Sequence, residues 1–199
     1  MFTVGVTGGI GSGKSIICNV FYNLDIPVYE ADKEARRLMA EHESIRTGLL
    51  AFFGEEVFQN EQLNRKYLAE RIFSDQDART FVNSLVHPIV RKDFASWVKT
   101  RSGSPYVIEE AALLFETGAW KELDYNILID AALETRIERI IERDGLKRAE
   151  VLARMASQID PGEGIEYADF VIRNDLNDFV IPQVLKADKI IRDLAMKKS

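Results

Sequence analysis

The sequence predicts a three-layer α/β/α fold, with helices on both faces of a five-stranded parallel sheet, and three observations carry that prediction. A glycine-rich turn, Gly8 to Ser15, stands between the apolar run Phe2–Thr7 and an apolar helical stretch. Five short β-rich segments recur near Phe2–Thr7, Ile26–Glu30, Tyr106–Glu109, Tyr125–Asp130 and Phe170–Ile172. Helical stretches separate them, the alternation that gives a parallel sheet covered on both sides. The long gap between the second and third segments holds helical patterns at Asp32–Glu41, Ser44–Phe53, Asn64–Phe73 and Pro88–Lys99, and an insertion of this kind commonly carries a substrate.

With 199 residues, 46% of them hydrophobic, the chain can fill one α/β core plus one or two insertions. The expected organisation is a single domain: a core at about 1–30, 104–135 and 157–199, a helical insertion at about 31–103 and a small helical lid at about 136–156. Gly54, the polar stretch Gln59-Asn60-Glu61-Gln62 and Ser102-Gly103-Ser104-Pro105 read as loops within that unit, and Asp178–Lys198 as a surface helix. The net charge of −6 argues against a general nucleic-acid surface and leaves a local basic cleft open. Cys18 is the only cysteine, and His42 and His87 are the only histidines, so neither a disulfide framework nor a Cys/His zinc site can be assembled. Cys18 reads as core packing on the first helix. There is no basic leader with a cleavage signal and no apolar stretch of spanning length, so the expectation is a soluble cytoplasmic protein without membrane or nucleic-acid partners.

The turn after the first strand, Gly8-Gly9-Ile10-Gly11-Ser12-Gly13-Lys14-Ser15, fits G-x-x-x-x-G-K-[ST] at every fixed position. Glycines let successive backbone N–H groups converge on one anion, and the helix opening near Gly13 adds its positive end. A nucleoside triphosphate is the expected ligand. Its candidate contacts are Gly9, Gly11, Ser12, Gly13, Lys14, Ser15 and the backbone of Ile16. Lys14 can reach the β- and γ-phosphates as a mobile charge, and the Ser15 hydroxyl is placed to ligate Mg²⁺. The bland alternative is a glycine-rich turn leading from a strand into a core helix.

Asp32 follows the second strand, at the carboxyl ends where open α/β sheets gather their ligands. It is a candidate general base that orients an acceptor hydroxyl and takes its proton, or else the N-cap of the following helix. Glu109 and Glu110 end the third strand, where one carboxylate can support Mg²⁺ through water. Leu113-Leu114-Phe115 reads as core or pocket wall. His87-Pro88 ends one helical pattern and starts another, with Pro88 suited to a first turn; His87 by itself is more often a structural histidine than a catalyst.

At about 100° per residue, the charges of Leu133–Asp144 sort into stripes. Glu134, Glu138 and Glu142 share one side, Arg136, Arg139 and Arg143 a neighbouring one, and Leu133, Ile137, Ile140 and Ile141 form the expected buried face. Grouped rather than interleaved cations suggest an anion site, against the alternative of a plain solvated helix. Lys147, Arg148 and Arg154 continue the basic density past Gly145 in a segment able to close over a nucleotide.

With these residues assembled, the chain resembles the dephospho-coenzyme A kinases from Val4 to about Asn174. The glycine-rich signature stands as Thr7 to Ser15, and the family's D-A-D-x-x-A-R as Glu30-Ala31-Asp32-Lys33-Glu34-Ala35-Arg36. Further matches are Phe53-Gly54, Arg65 with Leu68 and Phe73, His87-Pro88, Leu113-Leu114-Phe115-Glu116, Arg139, Arg143 and Gln158, and Ala168-Asp169 with Asn174. The resemblance implies a P-loop kinase that moves the ATP γ-phosphoryl group to the ribose 3′-hydroxyl of dephospho-CoA, with ATP and dephospho-CoA as its small-molecule partners. Asp32, Lys14 and Arg143 take the catalytic roles. Arg139 and Asn174 join the ATP side, Asn174 near the adenine. Thr7, Asp32, Arg36, Arg65, His87 and Leu114 fall on the acceptor side. The departures are Glu30 for aspartate, Ile16 for a common threonine, Ala112 for proline, Arg136 where glutamine is frequent and Leu176 for glycine. Two rival readings have weaker support. Another small-molecule or nucleotide P-loop kinase would leave the insertion's motifs unexplained, and a nucleotide-dependent switch would want N-K-x-D and D-x-x-G segments that the sequence does not contain where they are needed.

Overall fold

The computed structural model describes residues 1–156, 158 and 161–198. Residues 157 and 199, which bound the last expected core segment, lie outside the described ones. The chain divides into two compact units, Met1–Glu30 with Val98–Ser199, and Ala31–Trp97. In chain order the elements begin with β1 (Phe2–Thr7), α1 (Lys14–Tyr22) and β2 (Val28–Glu30). The second unit follows with α2 (Ala31–Glu41), α3 (Glu43–Phe53), β3 (Phe58–Gln59), β4 (Gln62–Leu63), α4 (Arg65–Ser74) and α5 (Gln76–Lys99). The first unit resumes with β5 (Tyr106–Glu110), β6 (Tyr125–Asp130), α6 (Leu133–Asp144), α7 (Arg148–Met155), α8 (Pro161–Gly164), β7 (Phe170–Arg173) and α9 (Val180–Lys198).

In the first unit five parallel strands pair in the order β2-β5-β1-β6-β7. Central β1 has β5 on one side and β6 on the other, with Val4 opposite both Ile108 and Tyr125. Its Val4 and Val6 are fully buried, as expected of a strand covered on both faces. One continuous core joins them to Ile17 and Phe21 of α1, Ile108, Ile127, Ile129 and Ile172 of the sheet, and Val184, Ala187, Ile191 and Ala195 of α9. Burying each larger side chain contributes about 1.5–3 kcal/mol. Because every strand runs the same way, all five carboxyl ends meet at one edge, and the glycine-rich turn leaves β1 there.

Four expectations change. The last helix starts at Val180 rather than Asp178 and is not merely a surface helix: its buried residues recur at helical spacing, and two alanines among them let it lie close against α1. The second strand starts at Val28, after Pro27, which has no N–H for the ladder and offers only its carbonyl, to the Ile108 N–H at 2.9 Å. The buried face of α6 is narrower than its apolar residues suggest, since Leu133 and Ile141 are exposed while Arg136 is buried beside Ile137 and Ile140. Finally, His87-Pro88 does not separate two helices. Proline at 88 removes one backbone donor and crowds the preceding turn, at about 3 kcal/mol. Even so α5 runs on through it, because Ala78, Val82, Val86, Val90 and Phe94, each four residues from the last, hold one buried stripe on both sides of the proline.

In the second unit, the Gln59–Gln62 stretch forms the tip of a small hairpin in which Phe58 faces Leu63 and Gln59 faces Gln62. Asn60 and Glu61 both take positive φ, the backbone that a two-residue hairpin turn demands. Arg46 covers the ring of Phe58 at 4.3 Å and donates to the Glu61 carbonyl at 2.9 Å, tying the hairpin to α3.

Tyr106 is the largest fully buried side chain, and its hydroxyl donates to Asp188 Oδ1 at 2.7 Å. Asp188 also accepts from Arg192 Nε at 2.9 Å, and Arg192 Nη2 reaches the Leu24 carbonyl at 3.3 Å, so one polar chain links β5, α9 and the turn after α1. Burial, with Asp188 alongside, raises the phenol well above its ordinary pKa. Tyr106→Phe keeps the ring and strands the carboxylate's third bond; urea unfolding should show a loss of about 1–2 kcal/mol, and unchanged stability would mean that Arg192 alone satisfies Asp188.

Candidate functional site

The turn after β1 is built by backbone that side chains would block. Gly13, the residue that caps α1, sits at φ 92°, where a Cβ would also run into the Asn174 amide. Gly11 sits at φ 82°, with the Arg136 carbonyl 2.5 Å from where its Cβ would be. The Ser12 N–H donates to the Gly9 carbonyl at 3.0 Å and the Ile16 N–H to the Gly13 carbonyl at 3.0 Å, which closes the loop and starts the helix. Lys14 Nζ folds back onto the Gly8 carbonyl at 2.8 Å. The Ser12 side chain is buried with its hydroxyl unpartnered, whereas Ser15 is exposed in the first turn of α1.

Asn174 clamps this loop from the end of β7. Its Nδ2 donates to the Ser12 carbonyl at 2.7 Å, and its own N–H goes to Asp130 on β6 at 2.8 Å. Arg139 completes the clamp, with Nη2 to the Asn174 carbonyl at 2.8 Å and Nη1 to the Gly11 carbonyl at 3.4 Å. The first turns of α6 therefore lie on the loop, and Ile10 of the loop packs against Ile137, Ile140 and Val151. Gln158 bridges from the segment after α7, accepting from the Ile10 N–H at 2.7 Å and donating to the Ala112 carbonyl at 3.3 Å. Arg143, the third arginine of the expected stripe, is instead exposed and bidentate to Asp144 at 2.7 and 2.9 Å, which raises its pKa and lowers that of Asp144. Arg148 is engaged with Glu134 at 2.6 and 2.7 Å.

Beside the loop, Thr7, Gly8 and Gly9 form one wall of a cleft whose other side includes Ala112, Phe115, Glu116 and Gln158. Leu114 is buried under Gly5 of β1 rather than lining it. The rings of Phe115, Trp120 and Tyr167 pack together, with centroids 5.1–6.3 Å apart. Trp120 and Tyr167 escape sequence reasoning, because residues so far apart leave no local spacing to read. Of the two glutamates ending β5, Glu109 is buried, while Glu110 stands opposite Glu30 across the β2–β5 ladder. The buried thiol of Cys18 is pushed up, first by burial and then by Glu110, with Lys14 acting the other way and Glu30 adding to the rise, so these charges gather on the α1 side of the strand ends.

In the second unit Asp32 occupies the second residue of α2, inside the first turn. The helix begins at Ala31, so Asp32 is not its N-cap. Arg36 lies one turn further along the same helix. His87 on α5 is half-buried, and its pKa is lowered by burial first and by Arg91 second, with Asp32 acting in the opposite sense. Asp32 and His87 thus lie within electrostatic reach of one another. Arg65 opens α4, whose N-cap Asn64 accepts from the Tyr67 N–H at 3.1 Å.

Among the described residues no group of three or more His, Cys, Asp or Glu side chains could hold a metal ion. The exposed Ser15 hydroxyl fits Mg²⁺, which takes few protein oxygens and completes its shell with water and substrate phosphates. No helix of the described residues is long and apolar enough to cross a membrane.

Comparison with known proteins places this arrangement. A dephospho-CoA kinase from Bacteroides fragilis is 36% identical over 183 residues, 92% of this chain and 89% of the relative. One from Salinibacter ruber is 39% identical over 184 residues, covering 89% and 92%. Among solved structures, the Thermus thermophilus protein TT1252 superposes with a TM-score of 0.85 at 33% identity, over 95% of this chain and 96% of that one. Dephospho-CoA kinase from Campylobacter jejuni does so with 0.68 at 25% identity, over 99% and 98%. The dephospho-CoA kinase family profile matches residues 2–178, which takes in the phosphate-binding turn, the whole second unit, the α6 arginines and Asn174 together. This chain belongs to the dephospho-CoA kinase family.

Proposed function

We propose that the protein transfers the γ-phosphoryl group of ATP to the ribose 3′-hydroxyl of dephospho-CoA, giving coenzyme A and ADP. The observation that carries this reading is the closed glycine turn at the carboxyl edge of the sheet, clamped by Asn174 and Arg139, in a chain whose match to the family extends through the second unit. The amides of Gly9, Gly11 and Gly13 hold the phosphates, and those of Ser12 and Ile16 join them on leaving the Gly9 and Gly13 carbonyls. Lys14 leaves the Gly8 carbonyl for the β- and γ-phosphates, a short swing for a flexible side chain. Mg²⁺, held by Ser15 and with Glu110 in support through water, supplies positive charge to the phosphates when bound.

The segment at about 31–103 carries the acceptor in this reading, with Arg36, Arg65 and His87 beside it; Thr7 shapes the acceptor side of the core, while Leu114, buried under Gly5, makes no contact with the acceptor. Asp32 accepts the proton of the attacking hydroxyl. The lowered pKa keeps His87 neutral near neutral pH, so His87 serves as a hydrogen-bonding group rather than as a competing cation. The lid at about 136–156 excludes water, which would otherwise compete for the phosphoryl group, and brings Arg143 off Asp144 and onto the transferring charge. Such chemistry on two soluble substrates fits the cytoplasm, and no nucleic acid enters it.

Three outcomes test the proposal. Incubated with ATP, Mg²⁺ and dephospho-CoA, the protein should release ADP and coenzyme A, detected by mass; turnover of a nucleoside monophosphate in place of dephospho-CoA would overturn the acceptor. Asp32→Asn should lower kcat by roughly 10²- to 10⁴-fold while leaving ATP affinity near wild type. A near-normal kcat would reduce Asp32 to a helix-dipole partner. Arg143→Ala should lower kcat by about 10²-fold, measured beside the melting temperature, and an effect on melting alone would confine Arg143 to its pair with Asp144.

A further inference from the structure

Three arginines share one stripe of α6, and the protein satisfies two of them internally: Arg139 on the Gly11 and Asn174 carbonyls, Arg143 on Asp144. Arg136 differs. Its residue is only 7% exposed, and its Nε is buried with no hydrogen-bond partner. The guanidinium has no ion pair with any described residue. Nη1 lies directly on the Cα face of Gly9, so close that a Cβ on Gly9 would collide with it.

A guanidinium whose Nε is buried without an acceptor carries a desolvation cost, and an anion that reaches the group offsets it. Two further features say where that anion sits. The Ile10 N–H, next to Gly9, already donates to an uncharged oxygen, Gln158 Oε1, which lies 3.7 Å from the same point over Gly9 that Arg136 Nη1 crowds. A loop amide and a guanidinium therefore converge on one spot currently served by a glutamine carbonyl. That spot also borders the cleft walled by Thr7, Gly8 and Gly9. A planar guanidinium beside a backbone N–H is the pairing that suits a phosphate oxygen.

We infer that Arg136 is a ligand of the donor nucleotide's terminal phosphate, drawn from its position on Gly9 once a triphosphate enters the loop and displaces Gln158 from Ile10. The inference rests on the reading that the glycine turn binds ATP. It adds a third cation to Lys14 and Arg143 and makes discrimination between triphosphate and diphosphate a property of α6 as well as of the loop. Where a neutral side chain occupies this position, that part of the discrimination is absent.

The test is binding of ATP and ADP, each measured by calorimetry with Mg²⁺, to wild type, Arg136→Met and Arg136→Gln. Arg136→Met keeps the length and apolar stem, so the expected result is ATP affinity at least tenfold weaker with ADP affinity within about twofold of wild type. Arg136→Gln should fall between. Equal weakening of ATP and ADP would overturn the inference, because it would make Arg136 a prop for the loop; so would unchanged ATP affinity with a lowered melting temperature. Should Arg136→Met fail to fold, the ATP-to-ADP ratio of Arg136→Gln decides by the same criterion. Wild-type protein that binds ATP yet leaves dephospho-CoA untouched would sink the proposed acceptor and leave this inference standing.

Discussion

At the carboxyl edge of the sheet one close approach governs the rest: the left-handed backbone of Gly13 lying under the carboxamide of Asn174. Because no side chain intervenes, Asn174 can reach the Ser12 carbonyl, and Arg139 can in turn reach the carbonyls of Asn174 and Gly11. The loop's carbonyls are thereby turned toward protein donors. β1, β7 and α6 are distant in sequence, yet each contributes one strand of this clamp. The sheet order, which sets β6 and then β7 beside β1, makes the contact possible.

Charge is handled differently on the two sides of that clamp. Exposed pairs such as Arg143 with Asp144 and Arg148 with Glu134 contribute little stability and can be exchanged for ligand contacts at small cost. Arg136, whose Nε is buried with no partner among the described residues, is the opposite case, and an incoming anion offsets its desolvation. On the acidic side, Glu30 and Glu110 stand opposite each other, and both, like Lys14, lie within electrostatic reach of the buried Cys18 thiol. Opposed cations and carboxylates at one sheet edge suit a metal-bound polyphosphate, whose own charges are mixed in the same way.

Most of the architecture was legible from pattern. Five strands, the glycine turn and α6 fall where apolar runs, glycine spacing and helical period place them. Errors came where tertiary packing overrides a local signal. Pro88 reads as a helix start by its own chemistry, but five side chains spaced four apart keep α5 unbroken on both sides of it. Leu133 and Ile141 have the apolar character of core residues and face solvent instead. Arg136 has the character of a surface residue and is buried, because α6 lies against the loop at Gly9 and Gly11. In the second unit, the spacing of Asp32 left base and helix cap equally open, and only the observed start of α2 at Ala31 removed the cap.

By itself, the sequence determined the ligand class, since glycine, lysine and serine at fixed spacing leave few backbone conformations other than a phosphate-binding turn. Its motifs also carried the family, through residues whose chemistry is read one at a time. Tertiary structure decided which of several equivalent-looking charges meet the loop. Arg136, Arg139 and Arg143 share one helical stripe and cannot be ranked by period. Their fates diverge because the first turns of α6 pack on glycines that lack side chains, while in its last turn Arg143 lies beyond the loop and pairs with the adjacent Asp144. Burial and partners are properties of what packs against a residue, and no local spacing encodes them.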